Sequence, residues 1–222
     1  IKGKFDSQFN LTENQLNKLI TNINFFKENK VQLQGSLLHD FSLKMNNNFK
    51  IIDYEYKSSG NILKSQIIIK NNYRNNYIKE PIKKVLFEKT KLEIVFNKNN
   101  NNLLILDGFY NLDNSNYNKF KVNYNLNKKN KNFFIDLDLS KSIFFDLINF
   151  RTDSKKKSNV KIDYSIKNKK HFFKSIDFTV GKNVFSIKNL LLNNKKEVEK
   201  FSTIKVQTYD KNKETNNFII NF

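Results

Sequence analysis

VQLQGSLLHDFSLKM, residues 31–45, holds a period of two from end to end. Its odd positions are Val31, Leu33, Gly35, Leu37, His39, Phe41, Leu43 and Met45, and its even positions are Gln32, Gln34, Ser36, Leu38, Asp40, Ser42 and Lys44. Alternation of this kind describes a strand with one dry face and one wet face. At about 3.3 Å per residue it runs roughly 50 Å, whereas ordinary strands stop after about 5 or 6 residues. Gly35 marks a place where so long a strand can bend. Leu38 is the one apolar residue on the wet face.

The same period recurs along the rest of the chain. Lys4 to Asn10 alternates through Phe5, Ser7 and Phe9. Further on, Ile52, Tyr54 and Tyr56 form one run and Leu63, Ser65, Ile67 and Ile69 another. Leu92, Ile94 and Phe96 make the next, followed by Leu104, Leu106, Gly108, Tyr110 and Leu112, then Phe120, Val122, Tyr124 and Leu126. Phe133, Ile135, Leu137 and Leu139 continue the pattern, then Val160, Ile162, Tyr164 and Ile166, then Ile176, Phe178 and Val180. Phe185, Ile187 and Leu191, Ile204 and Val206, and Phe218, Ile220 and Phe222 close it.

Short turns of Asn, Lys, Asp and Ser separate these runs, at Asn97 to Asn102, Asp113 to Asn116, Asn127 to Lys131 and Asn193 to Lys196. Turns this short join antiparallel neighbours, so the pattern predicts a meander in which each strand pairs with the next. Asn takes the turn role that Gly usually fills, because it tolerates the left-handed conformation. Residues 71–84, which include the only proline, Pro81, read as an irregular crossing at an edge or end of the sheet.

One helix is expected, from about Glu13 to Phe26. Thr12 and Gln15 form a T-x-x-Q capping box with Leu11 and Leu16 as a hydrophobic staple. Leu16, Leu19, Ile20, Ile23 and Phe26 follow at helical spacing, with Lys27 and Lys30 at the negative end of the dipole. Its role is to pack a stripe against the sheet.

Composition bounds the function only loosely. The net charge of +19 and pI near 9.8 point towards nucleic acid or an anionic membrane in an average protein. Here alanine, tryptophan and cysteine are absent while Asn, Lys, Ile, Phe and Tyr are in excess, which is what an AT-rich genome supplies by default. The lysine excess is therefore a weak witness. A length of 222 residues with 22 Phe supports one substantial domain. No apolar run approaches the roughly 18 residues of a membrane-spanning helix, since Ile143 to Ile148 is short and contains Asp146. The chain opens at Ile1 and closes at Phe222 inside strand-like pattern, as a segment of a longer protein would.

Catalytic signatures are lacking. His39 lies on the apolar face of its strand without ligating neighbours, and His171 lies in a Lys-rich turn, so both read as structural residues. Asp136 and Asp138 share a strand face with carboxylates about 7 Å apart. A glycosidase pair can have that spacing, but wet-face residues alternating with Ile135, Leu137 and Leu139 explain them better. No nucleophile elbow, phosphate loop, zinc signature or dinucleotide fingerprint is present, and neither an enzyme nor a cofactor is expected. Lys155 to Lys157 and Lys167 to Lys170 fit anionic headgroups or nucleic acid, or else solvated hairpin tips. The aromatics fall in phase with the aliphatic residues, unlike a single-strand binder's exposed stacking platforms, so the solvated reading is favoured.

A wide meander with one apolar face must hide that face. It can fold into a sandwich, close into a barrel, or curl into a trough covered by something apolar that is not protein. The segment Asn132 to Asn193, with FFIDLDLSKSIFFDLINFR, NVKIDYSIK and KSIDFTVGKNVFSIKNLLLNN, resembles the repeating strand pattern of the AsmA-like superfamily, its YhdP and TamB branches in particular. The opening GKFDSQFNL and the helix after it match more loosely. Phe150, Arg151 and Lys155 to Lys157 stand where Trp and a Lys-Pro-Gly-like turn are expected.

The resemblance implies a mostly β fold, a long antiparallel meander curled into an open, taco-like groove as a single segment over residues 1–222. It implies phospholipid transfer between inner and outer membranes of a Gram-negative-type envelope. The protein would be periplasmic and anchored through other parts of the chain. Its partners would be phospholipid acyl chains and the two membranes, with no nucleic acid. The side chains expected to contact acyl tails are Val31, Leu33, Leu37, Phe41, Leu43, Ile135, Leu137, Leu139, Ile176, Phe178, Phe185 and Ile187. The competing readings are a sandwich or solenoid interaction module with a dry core, and a basic nucleic-acid-binding β domain.

Overall fold

The computed structural model describes residues 1–19, 29–75, 78–99, 101–113, 115–127, 130–139, 144–145, 150–151, 158–210 and 213–221. The chain begins with β1 (Lys2–Thr12), α1 (Glu13–Leu19), β2 (Lys30–Met45), β3 (Ile51–Asn75) and β4 (Ile78–Asn97). It continues with β5 (Asn102–Leu112), β6 (Asn118–Leu126), β7 (Asn130–Leu139), β8 (Phe144–Phe145) and β9 (Phe150–Arg151). β10 (Ser158–Lys167), β11 (Lys170–Val180), β12 (Asn183–Leu192), β13 (Val198–Lys200), β14 (Thr203–Asp210) and β15 (Lys213–Asn221) complete it. Thirteen of these strands form one open sheet in the order β1-β2-β3-β4-β5-β6-β7-β10-β11-β12-β14-β15, with β13 also on β12, while β8 and β9 pair separately. β1 and β15 are its edges, so the sheet does not close into a barrel.

Every pairing is antiparallel, and the main contacts of each strand are with its neighbours in sheet order. The accessible surface is 15048 Å². A compact monomer of 26.4 kDa would expose about 10,600 Å². An excess of that size belongs to a single curled layer, not to a closed sandwich. The apolar face is the sheltered one: Phe178 and Val180 are 3% exposed and Val206 1%.

α1 starts as its sequence requires. The Thr12 backbone N–H donates to Gln15 Oε1 at 2.9 Å, which is half of a capping box. The Thr12 hydroxyl donates to the same oxygen at 3.2 Å instead of accepting from the Gln15 backbone, so the other half is unmade. Leu16 is buried. The continuation of the expected helix to Phe26 lies outside the described residues.

Three local expectations need correcting. The runs through Tyr54 and through Ile67 are one 25-residue strand, β3, without a turn between them. Gly60 is flat under β2: a Cβ there would sit 2.1 Å from the Ser36 carbonyl oxygen and 2.9 Å from Leu37 Cα. Residues 71–75 and 78–84 are likewise strand, belonging to β3 and β4, and among the described residues the irregularity is confined to the ladder. Its register shifts between Ile68↔Lys84 and Tyr73↔Ile82 and again between Tyr73↔Ile82 and Asn75↔Ile78, and Pro81, which has no N–H to give, falls in the second of these.

The third correction concerns asparagine. Among the described residues the left-handed positions are held by Phe49, Lys89, Asp113, Asn168, Lys169, Gly181, Asn189 and Lys196, of which two are Asn. Asn instead caps the hairpins with its side chain. Asn46 Oδ1 accepts from the Asn48 and Lys50 N–H groups, both at 3.0 Å, and Asn193 Oδ1 from Lys195 and Glu197 at 2.8 and 2.9 Å. Asn97 and Asn127 do the same for Asn101 and Asn130.

Candidate functional site

Register decides what the alternating residues build together. Following cross-strand partners from β1 to β15 gives one row on the sheltered face: Ser7, Leu37, Gly60, Leu92, Leu106, Val122, Ile135, Ile162, Ile176, Ile187, Ile204 and Ile220. From Leu92 to Ile220 it is aliphatic on nine consecutive strands, which at about 4.8 Å per strand spans about 38 Å. Beside it run Phe120, Leu137, Val160, Phe178, Phe185, Val206 and Phe218, again joined partner to partner. The face is thus striped perpendicular to the strands. β-Branched and aromatic side chains fit such a pleated, half-buried surface, and each cross-strand pair adds to the ladder.

All twelve side chains expected to line a groove lie on this face. Leu37, Ile135, Ile176 and Ile187 belong to the aliphatic row, and Leu137, Phe178 and Phe185 to the row beside it. Val31 pairs with Ile67, Leu33 with Leu11 and Ser65, Phe41 with Gly3 and Tyr56, Leu43 with Tyr54, and Leu139 with Ser158. The two sets are not brought together, because β2 and β7 are five strands apart, about 24 Å. Leu92, Leu106, Val122, Ile162, Ile204 and Ile220 complete the row and were not singled out by sequence. Their alternation was visible, but only pairing register aligns them.

Packing on the face is local. Tyr110, Leu112 and Phe120 form one buried cluster, with Ile82, Val85, Phe87, Leu106, Val122 and Leu137 against it. Phe178 and Val180 form a second with Leu139, Val160 and Phe185. The Tyr110 hydroxyl donates to the Asp138 carbonyl oxygen, and burial, then the Asp138 charge, raises its pKa above the ordinary tyrosine value.

Towards the end where β2 turns into β3, the face becomes amphipathic. Tyr124 lies over Phe133, Phe133 over Tyr164 and Tyr164 over Phe173, with ring centroids 4.7, 5.5 and 4.5 Å apart. His171 accompanies this stack: its Nδ1 is hydrogen-bonded to the Tyr164 hydroxyl, so it faces inward instead of into the turn. Burial raises the Tyr164 pKa. His39 is 8% exposed, its Nε2 2.7 Å from Ser7 Oγ and its Nδ1 2.6 Å from the Tyr56 hydroxyl, with Phe5 stacked on its ring at 4.4 Å. Both nitrogens are thereby occupied, which agrees with a packed residue.

The opposite face carries charge in equal order. Lys91, Asp107, Lys121, Asp136, Lys161 and Asp177 are cross-strand partners in succession, alternating in sign. Lys161 Nζ is 3.1 Å from Asp136, and Asn159 Nδ2 donates to Asp136 and Asp138 at 2.8 and 2.9 Å. The two carboxylates that could have formed a glycosidase pair are therefore tied to their own neighbours. Twist makes a wide sheet a saddle, so this face has a concave stretch too. A cleft of 890 Å³ lies there, lined by Asp107, Lys121, Asp136, Lys161 and Asp177 among others.

Among the described residues no group of three or more His, Cys, Asp or Glu side chains could hold a metal ion, and no helix is long and apolar enough to cross a membrane. Compared with known proteins, the chain matches no family model, no curated protein and no solved structure at a significant level.

Proposed function

We propose that the sheltered face is a lipid-carrying groove and that the protein transfers phospholipid between the two membranes of a Gram-negative-type envelope. The observation that carries this reading is the aliphatic row from Leu92 to Ile220, unbroken on nine strands of a sheet that no second layer among the described residues covers. A free acyl chain gains about 0.8 kcal/mol per buried methylene, so a 16-carbon chain costs on the order of 12 kcal/mol in water. A row without interruption offsets that cost at every step of a displacement. It also requires no tight subsite. The open edges β1 and β15 let such a path continue beyond this sheet, and the likeness of residues 132–193 to the AsmA-like pattern agrees with the same use.

Native mass spectrometry of the purified protein tests it. Phospholipid should co-purify, and Leu137→Asp, which puts a charge beside the row, should lower its occupancy several-fold. A lipid-free, fully folded protein that takes up none from vesicles would instead favour the interaction-module reading.

A further inference from the structure

In an antiparallel meander every second turn falls at the same end of the strands. The turns following β2, β4, β6, β10 and β12 therefore line one rim of the groove. Adjacent ones are two strands apart, about 10 Å, and the five extend about 38 Å. This rim is basic: Lys50, Lys131, Lys169, Lys195 and Lys196 are exposed there, and no carboxylate among the described residues pairs with them. The acids at the same end are already engaged, Glu199 by Lys170 at 2.9 Å and Glu197 by Asn193 Nδ2 at 2.7 Å. Asp53 and Glu55 stand on the opposite face of β3, where Asp53 accepts from the Tyr54 N–H and Glu55 pairs with Lys57.

Moving inward from this rim, the groove face changes in a fixed order. Lysine at the tips gives way to the Tyr124, Phe133, Tyr164 and His171 band, and the band gives way to the aliphatic row. Tyrosine suits a boundary with one apolar and one wet side. Charge, interface and hydrocarbon is also the order of groups along a phospholipid. β5 to β7 and β10 to β12, at 9 to 11 residues each, measure about 30 to 37 Å, and one leaflet of a bilayer is about 20 to 22 Å thick. A lipid lying parallel to the strands fits between the rims.

We infer that this rim is a headgroup rail. The substrate is an anionic phospholipid held with its phosphate on the lysine-bearing turns and its acyl chains on the aliphatic row, and it moves from strand to strand. The inference rests on the groove reading above and adds the substrate's charge and orientation.

The test uses the full chain and compares fluorescent phosphatidylglycerol with fluorescent diacylglycerol of the same acyl chains, each offered at trace level in phosphatidylcholine vesicles. Lys131→Glu, Lys169→Glu, Lys195→Glu and Lys196→Glu together should lower phosphatidylglycerol uptake by at least about tenfold, equivalent to about 1.4 kcal/mol, and leave diacylglycerol uptake unchanged. The same number of reversals on the opposite face, at Lys2, Lys64, Lys91 and Lys119, should change neither. Unchanged phosphatidylglycerol uptake in the rim variant, equal loss of both lipids, or an equal effect of the opposite-face variant overturns the rail and leaves the groove standing. If the unaltered protein takes up neither lipid, the groove fails with it. Salt-sensitive binding of a single-stranded oligonucleotide through the same lysines, with lipid uptake unaffected, overturns the rail in favour of nucleic acid.

Discussion

Asp177 accepts from Lys188 Nζ at 2.7 Å and from Ser186 Oγ at 2.6 Å. Burial opposes its charge, but the hydrogen bonds from Lys188 and Ser186 and the Lys188 charge outweigh that, so its pKa lies below the ordinary 3.8. A depressed carboxyl contributes stability that is fully present above its unfolded value and fades as pH falls through the folded one. Lys188→Met should raise the Asp177 midpoint, read by NMR of the carboxyl carbon, and should lower stability at neutral pH, with the difference from the unaltered protein fading as pH falls below about 4. At neutral pH the loss should stay under about 1 kcal/mol, because the pair is partly exposed. Ser58 is the opposite case: its hydroxyl is buried with no partner on the apolar face. Removing an unsatisfied buried hydroxyl relieves a penalty, so Ser58→Ala should be neutral or stabilising by up to about 1 kcal/mol in urea unfolding. Gly60→Ala should cost more than about 2 kcal/mol, since the added methyl meets the β2 backbone, which cannot turn aside as a side chain can.

Asn193 holds the turn after β12 through two side-chain bonds to the backbone. Asn193→Ala leaves those N–H groups to water and should lower stability by about 1 kcal/mol, read as a shifted urea midpoint with an unchanged slope. The strands these turns join were legible because a period of two is a strong local signal. β2 was expected at 31–45 and extends over Lys30–Met45. What escaped was whatever depended on a neighbouring strand. The separate runs through Tyr56 and from Leu63 continue into one another through Ser58 to Asn61, where Gly60 lies flat under Leu37. Leu63 falls where the β2–β3 register shifts, so the alternation around it changes phase and the side chain is 57% exposed. Gly35, expected at a bend, lies at that same shift, with Phe9 Cζ 2.7 Å from where a Cβ would be. Leu38 is 47% exposed on the polar face, and nothing in the structure explains it. The candidate groove residues share one face of the sheet, but their assembly into a continuous row comes from registers that no single strand encodes.

The rows matter because they run across the molecule, whereas each strand contributes one residue to each. The alternating charges of the outer face and the aliphatic side chains of the inner face repeat at the same strand spacing, so a slip of one residue between any two strands would misalign both at once. That coupling favours one register over twelve strands, which stacking of apolar residues alone would leave degenerate. It also gives the proposed path a middle and an end. Ile162 is the fifth of the nine aliphatic positions, with Leu92, Leu106, Val122 and Ile135 to one side and Ile176, Ile187, Ile204 and Ile220 to the other. Ile162→Asp divides the row into two halves of four strands, while Ile220→Asp removes only the last step, on the edge strand. If lipid travels along the row, Ile162→Asp should slow vesicle-to-vesicle transfer by about tenfold, a barrier of about 1.4 kcal/mol. It should leave bound lipid detectable by native mass spectrometry, because each half still buries acyl chain. Ile220→Asp should leave both readings near those of the unaltered protein. Circular dichroism melting separates these effects from a loss of folding. Transfer at the original rate in a folded Ile162→Asp protein would mean that lipid does not use the row as a path.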